Sequence, residues 1–72
     1  IPKNIAILGE IGLSGEIRDV SYLNERIKES YKLGFDKIII GKTNKKIELT
    51  DDVTLIKIAK LNELINLIRN YE

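Results

Sequence analysis

Lysine and serine are the residue types in this chain that could support catalysis, because its 72 residues include no histidine and no cysteine. This composition excludes the usual zinc ligands, a thiol nucleophile and a disulfide framework, and it removes the usual general base. Nucleophilic catalysis would therefore need a serine with a lysine as its base. Each serine has a structural interpretation: Ser14 lies in a turn, Ser21 precedes a helix and could cap its amides, and Ser30 lies within that helix. The residues alone therefore predict no catalytic site.

Positive charge concentrates in the middle third of the sequence. Residues 26–46 contain seven lysine or arginine residues and two acids, a net charge of +5 in a chain whose total is +1. A basic surface binds nucleic-acid phosphates mainly by electrostatic attraction. The alternative is a solvated helix face and loop, and composition favours it because arginine forks and interleaved aromatic residues are lacking. The candidate DNA-binding residues are Lys28, Lys32, Lys42, Lys45 and Lys46.

Three glycines spaced three apart, Gly9, Gly12 and Gly15, raise the question of a phosphate-binding loop. They lack the lysine and serine or threonine that follow the glycines in such a loop. Close approach of strands explains the first two, and a hairpin turn explains Gly15. We therefore expect no cofactor and no metal in this chain.

Apolar periodicity predicts elements in the order β-β-α-β-loop-β-α, an α/β (α+β) chain forming one domain over residues 1–72. Apolar residues on both faces of the first strand, and the three consecutive isoleucines at 38–40, indicate strands that are covered on both sides, as in a parallel sheet. Gly34 follows the first helix where a left-handed residue would end it. The predicted loop is too short for a full crossover helix. The predicted bounds are a hairpin of 4–12 with 15–19, a helix at 22–33, a strand at 37–40, a loop at 42–52, a strand at 53–58 and a helix at 61–70.

The chain has no apolar run of the roughly 20 residues that a membrane helix needs, and no signal peptide. We expect a cytoplasmic protein that does not enter membranes. The sequence opens Ile-Pro-Lys without an initiator methionine, so we also expect it to be a part of a longer protein.

The segment Gly9–Ser21 reads Gly-Glu-Ile-Gly-Leu-Ser-Gly-Glu-Ile-Arg-Asp-Val-Ser, and it closely resembles the hairpin of the Lon-protease-like domain in the RadA (Sms) family. Two positions depart from the family pattern. The family often has proline where this chain has Asp19, and it usually has proline where this chain has Gly41. Both departures fall at the ends of elements, where we expect them to loosen turns. The resemblance continues at residues 25–29, 32–35, 38–40, 42 and 44.

The resemblance implies the C-terminal half of a Lon-protease-like (ribosomal protein S5 domain 2-like) fold, with a β-hairpin followed by α-β-β-α. It also implies a parent protein with a zinc segment, a RecA-like ATPase core and this domain, acting as a ring-forming motor in DNA repair and recombination. ATP with magnesium, and zinc, would bind upstream. The implied partners of this domain are DNA, bound weakly and without sequence preference, and further copies of the chain.

A fragment of the proteolytic domain of a Lon-type protease, a Ser-Lys peptidase, is the alternative. Aligning the corresponding Lon helix places Asn24 at the position of the dyad lysine, and an amide cannot accept a proton from a serine hydroxyl. Lys28 lies one turn further along, roughly 6 Å away, which is too far to replace that base. The motif of the serine nucleophile is also missing, so we expect no peptidase activity. A third possibility is an oligomerisation module that makes no DNA contact.

Overall fold

The computed structural model describes residues 4–49 and 52–71. Residues 1–3, 50, 51 and 72, which the predicted domain also includes, lie outside the described residues. Within the described ranges, no helix is long and apolar enough to cross a membrane. The strands are β1 (Ile5–Leu8), β2 (Glu10–Ile11), β3 (Ile17–Arg18), β4 (Lys37–Ile40) and β5 (Thr54–Lys57), and the helices are α1 (Leu23–Lys32) and α2 (Leu61–Tyr71).

Three parallel strands in the order β1-β4-β5 form the main sheet. Ile39 of the central strand pairs with Ile7 on one side and with Ile56 on the other. Every isoleucine of β4 is at most 1% exposed. The prediction of a parallel strand covered on both faces is therefore confirmed, and so is the α/β class.

The two helices supply the cover on opposite faces of the sheet. Ile38 and Ile40 pack with Leu23 and Ile27 of α1 in one core cluster. Ile39 points the other way, into a second cluster that includes Leu64 of α2. This division follows from the two-residue period of a strand, which sends successive side chains to opposite faces.

The predicted first strand, residues 4–12, is wrong as a single element. It is divided at Gly9 into β1, in the parallel sheet, and β2, which pairs antiparallel with β3 in a separate hairpin. The hairpin leaves the parallel sheet because its backbone forms hydrogen bonds with the segment that follows β5. The amide of Ile17 donates to the carbonyl of Ala59 at 2.8 Å, and the amide of Leu61 donates to the carbonyl of Gly15 at 2.7 Å.

The two ends of α1 give opposite outcomes for the predicted caps. Gly34 has a φ of 100°, so the left-handed residue after the helix is confirmed. The predicted cap at Ser21 is wrong, because the N-cap residue is Tyr22, in the left-handed conformation and without a side-chain cap hydrogen bond. The carbonyl of Ser21 instead accepts a hydrogen bond from Nε of Arg26 at 2.7 Å.

A loop without a described helix joins β4 to β5, as predicted. Residues 50 and 51 of that predicted loop lie outside the described residues. Ile47 and Val53 pack against the α1-side core cluster, so the loop crosses the sheet on the same face as α1. This path brings the loop lysines beside the helix.

Candidate functional site

Asn24 fixes the loop to α1 with both ends of its side-chain amide. Its Nδ2 donates to the carbonyl of Lys46 at 2.9 Å, and its Oδ1 accepts from the amide of Glu48 at 2.9 Å. A lysine, which carries donors and no acceptor, could make only the first of these bonds. The residue at the predicted position of the degenerate dyad therefore has a structural task that its amide performs and a dyad lysine could not.

The helix lysines of the predicted DNA-binding set are solvent-exposed on α1. Nζ of Lys28 lies 3.7 Å from Oε2 of Glu48, a loop acid just beyond the basic segment that the sequence defined. Both side chains are more than half exposed, so the pair is weak. Lys32 stands in the last turn of α1 and has no ion pair with any residue that the structure describes.

Two of the loop lysines, Lys42 and Lys45, border an open depression at the carboxyl ends of β4 and β5. Its volume is about 730 Å³, and three lysines and one acid contribute to its wall. Ligands of open α/β sheets bind outside this edge of the strands. The lining residues are Asp19, Lys42, Thr43, Asn44, Lys45 and Lys57.

Lys57 is the lysine of this depression that the sequence did not predict. It is the last residue of β5, in a segment of net negative charge. Parallel pairing places it opposite Ile40, the last residue of β4, two positions before Lys42. Strand alternation puts Lys57 on the face of Leu55, which packs in the α1-side cluster. That alternation was the available signal, but only the pairing of β4 with β5 shows which residues Lys57 meets.

A network around Asp19 joins the end of the hairpin to the loop. The hydroxyl of Thr43 donates to Oδ2 of Asp19 at 2.7 Å, and Nζ of Lys45 lies 3.3 Å from the same oxygen. Nζ of Lys45 also donates to the carbonyl of Val20 at 2.6 Å. The hydrogen bond from Thr43 is the largest cause that lowers the pKa of Asp19 below its ordinary value, and Lys45 lowers it further. Burial raises this pKa and opposes the shift. Asp19 is therefore ionised at neutral pH, and its charge is compensated.

The two departures from the family pattern lie at or next to this depression. Asp19 lines it, and Gly41 immediately precedes Lys42. A Cβ added at Gly41 would lie 2.6 Å from the carbonyl oxygen of Ile17, so β3 crosses directly over the end of β4. Gly41 makes a tight contact with β3 possible, and Asp19 binds two loop side chains. That these residues loosen their turns relative to proline stays a prediction.

Four of the five predicted lysines thus form two pairs, and the fifth lies in the loop segment that Asn24 binds. Lys28 and Lys32 lie on α1, whereas Lys42 and Lys45 border the depression; Lys46 is exposed in the loop between the two groups, with its carbonyl bound to Asn24. DNA contact by these side chains stays a prediction. Among the described residues, no three histidine, cysteine or acidic side chains come together as a metal site would require.

Comparison with known proteins extends the similarity beyond the hairpin to almost the whole chain. No protein-family model matches it. Proteins named DNA repair protein RadA are 38% identical over 72 residues in Chlamydia trachomatis, 38% over 68 residues in Aquifex aeolicus and 46% over 61 residues in Synechocystis sp.. These alignments cover 96%, 94% and 85% of this chain, which spans only 12–16% of the length of those relatives. Over these residues, the chain belongs to the RadA family.

Proposed function

We propose that this chain is a non-proteolytic, Lon-protease-like domain that contributes DNA binding and ring scaffolding to a RadA-type DNA repair and recombination ATPase. The observation that carries the proposal is the attachment of the lysine-rich loop to α1 through Asn24, which gathers lysines from two segments on one side of the sheet. The name shared by the relatives, DNA repair protein RadA, supports the same class of function.

Lysine side chains of this kind bind the phosphates of DNA without reading its bases. Each neutralised phosphate releases condensed counterions, so affinity falls as the salt concentration rises. Contacts to phosphate position a protein on the duplex but carry no direct sequence information. We expect weak single-domain binding, with a Kd of roughly 10⁻⁴ to 10⁻⁶ M at physiological salt. In a ring, several copies would add their contacts through effective concentration.

ATP with magnesium, and zinc, belong in this proposal to other parts of the protein. Gly9 precedes β2, and Gly12 and Gly15 lie in the turn between β2 and β3. The residues that the structure describes also offer no cluster suited to zinc. A cytoplasmic location accords with a role in DNA repair.

A salt titration of duplex binding tests the proposal, using the protein in its full natural length. One variant carries glutamate at all five candidate positions: Lys28, Lys32, Lys42, Lys45 and Lys46. We expect lower affinity and a smaller slope of log K against log salt, because about 0.9 of slope is lost with each phosphate contact. A control variant reverses Lys60 and Arg69, two exposed cations at the start and end of the α2 region, and should bind nearly as the wild type does.

An unchanged affinity and an unchanged slope in the five-lysine variant would contradict DNA binding by this surface. The lysines would then be solvated side chains, and the domain would act in scaffolding alone. An equal loss of binding free energy per reversed charge in the five-lysine variant and in the two-cation control would mean that the effect comes from net charge rather than from this surface.

A further inference from the structure

The three lysines of the depression differ in what already compensates their charge. Nζ of Lys45 is held by the carboxylate of Asp19 at 3.3 Å and by the carbonyl of Val20 at 2.6 Å. Lys42 and Lys57 have no acidic partner within 4 Å among residues 4–49 and 52–71. Two ammonium groups in one depression therefore remain available to an anion.

The fold places these two free lysines together. Lys42 follows the end of β4 by two residues, Lys57 ends β5, and the two strands are parallel neighbours. Both side chains therefore leave the same edge of the sheet. Lysine is a common phosphate binder that acts as a point charge, so two of them can share one phosphate group from different sides.

Asp19 is the acid that lines the depression among the described residues, and its network reduces the repulsion that it exerts on an incoming anion. The carboxylate accepts from Thr43 and pairs with Lys45, so its negative charge is already compensated. With one acid and three lysines, the lining has a formal net charge of +2. Lys45 would have to give up both of its contacts to reach a ligand, whereas Lys42 and Lys57 would give up none.

We propose that this depression anchors a single phosphate group between Lys42 and Lys57, beside the exposed Asn44, while Lys45 stays bound to Asp19 and holds the rim. The inference rests on the proposed DNA binding, in which a duplex phosphate is the ligand. A free diphosphate carries the same chemical group, so the test separates these two sources.

The test compares two double variants that remove the same formal charge from the protein in its full natural length. Lys42→Gln with Lys57→Gln removes the free pair. Lys60→Gln with Arg69→Gln removes two exposed cations of the α2 region that do not line the depression. Each protein is titrated with duplex DNA over a range of salt concentrations and, separately, with inorganic pyrophosphate at fixed ionic strength.

We expect the free-pair variant to lose about tenfold or more in duplex affinity, with a salt slope smaller by about 0.9 because one phosphate contact is lost. The control variant at Lys60 and Arg69 should lose less than about threefold. Pyrophosphate binding should weaken in the free-pair variant alone.

Equal losses of duplex affinity in the two variants would overturn the anchor and leave the proposed DNA binding intact. Absence of duplex binding by the wild type would refute the proposed function. The anchor would then stand only if pyrophosphate still bound and depended on the free pair. No dependence on the free pair with either ligand would overturn the anchor outright.

Discussion

At the scale of single residues, Asn24 shows how a position that could have held a catalytic base serves the fold instead. Its amide donates to the loop at Lys46 and accepts from it at Glu48. We expect Asn24→Lys to lower the free energy of unfolding by about 1 kcal/mol, because the acceptor is lost. Urea unfolding measures this, with Asn66→Lys on the exposed face of α2 as the matched control.

The same variant tests the absence of peptidase activity. Neither the wild type nor Asn24→Lys should cleave casein or fluorogenic peptides above buffer, because a lysine alone supplies a base without a nucleophile. Turnover that depends on a serine, in either protein at full natural length, would contradict the non-proteolytic proposal.

Asp19 predicts an acid-dependent contribution to stability. Its pKa is lowered from an ordinary value of 3.8, first by the hydrogen bond from Thr43 and then by Lys45. A carboxyl group whose pKa is lower in the folded state stabilises the fold at pH values above its ordinary pKa. This stabilisation is lost as the pH falls through the folded-state pKa. The difference in stability between the wild type and Asp19→Asn should therefore be largest near pH 7 and shrink below about pH 4.

The variant comparison matters because a second carboxylate behaves in the same way. The pKa of Glu16 is also lowered, first by a hydrogen bond with its own backbone and then by Arg18. Both proteins retain Glu16, so subtraction isolates Asp19. Thr43→Val should raise the pKa of Asp19 in NMR titration, and no change in that pKa would refute the assigned cause.

At the scale of elements, the contact between the hairpin and β4 depends on the missing side chain of Gly41. A Cβ there would lie 2.6 Å from the carbonyl oxygen of Ile17, closer than packed atoms approach. We expect Gly41→Ala to cost about 1–3 kcal/mol, the usual range for overpacking. The φ of Gly41 is not positive, so backbone strain adds nothing to this expectation.

Thermal or urea unfolding checks this prediction, with Asn44→Ala in the exposed loop as the control. The control should stay within about 0.5 kcal/mol of the wild type. A Gly41→Ala protein as stable as the wild type would show that β3 can move away from β4 at little cost.

At the scale of the whole molecule, β1 is an edge strand whose described pairing is with β4 alone. It reads Ile-Ala-Ile-Leu, without a charge or proline to discourage another strand. We expect the 72-residue chain to self-associate at high micromolar concentration, measured by sedimentation equilibrium. A species that stays monomeric throughout would contradict this.

A second apolar feature supplies the control for that experiment. Leu13 at the tip of the hairpin is fully exposed, and Ile11 is 59% exposed. Association through the β1 edge should persist in Leu13→Ser. If it disappears there, the hairpin tip rather than the edge joins the copies.

The sequence by itself determined the elements and the family. The three isoleucines of β4, the amphipathic pattern of α1 and the left-handed Gly34 are local signals, since each depends on residues within a turn or two along the chain. Local patterns could not show that the first strand divides at Gly9, because both halves are apolar and the division depends on bonds from the hairpin to the chain after β5.

Only the tertiary structure decided how the candidate site is arranged. Asp19 meets Thr43 and Lys45 from 24 and 26 positions away, and Asn24 reaches Glu48 from 24 positions away. Lys57 joins Lys42 only because β4 and β5 pair in parallel. The reason is physical: the charge on a lysine is visible in the sequence, but the neighbours that compensate it or leave it free are set by strand pairing and by the path of a loop, which no local pattern specifies.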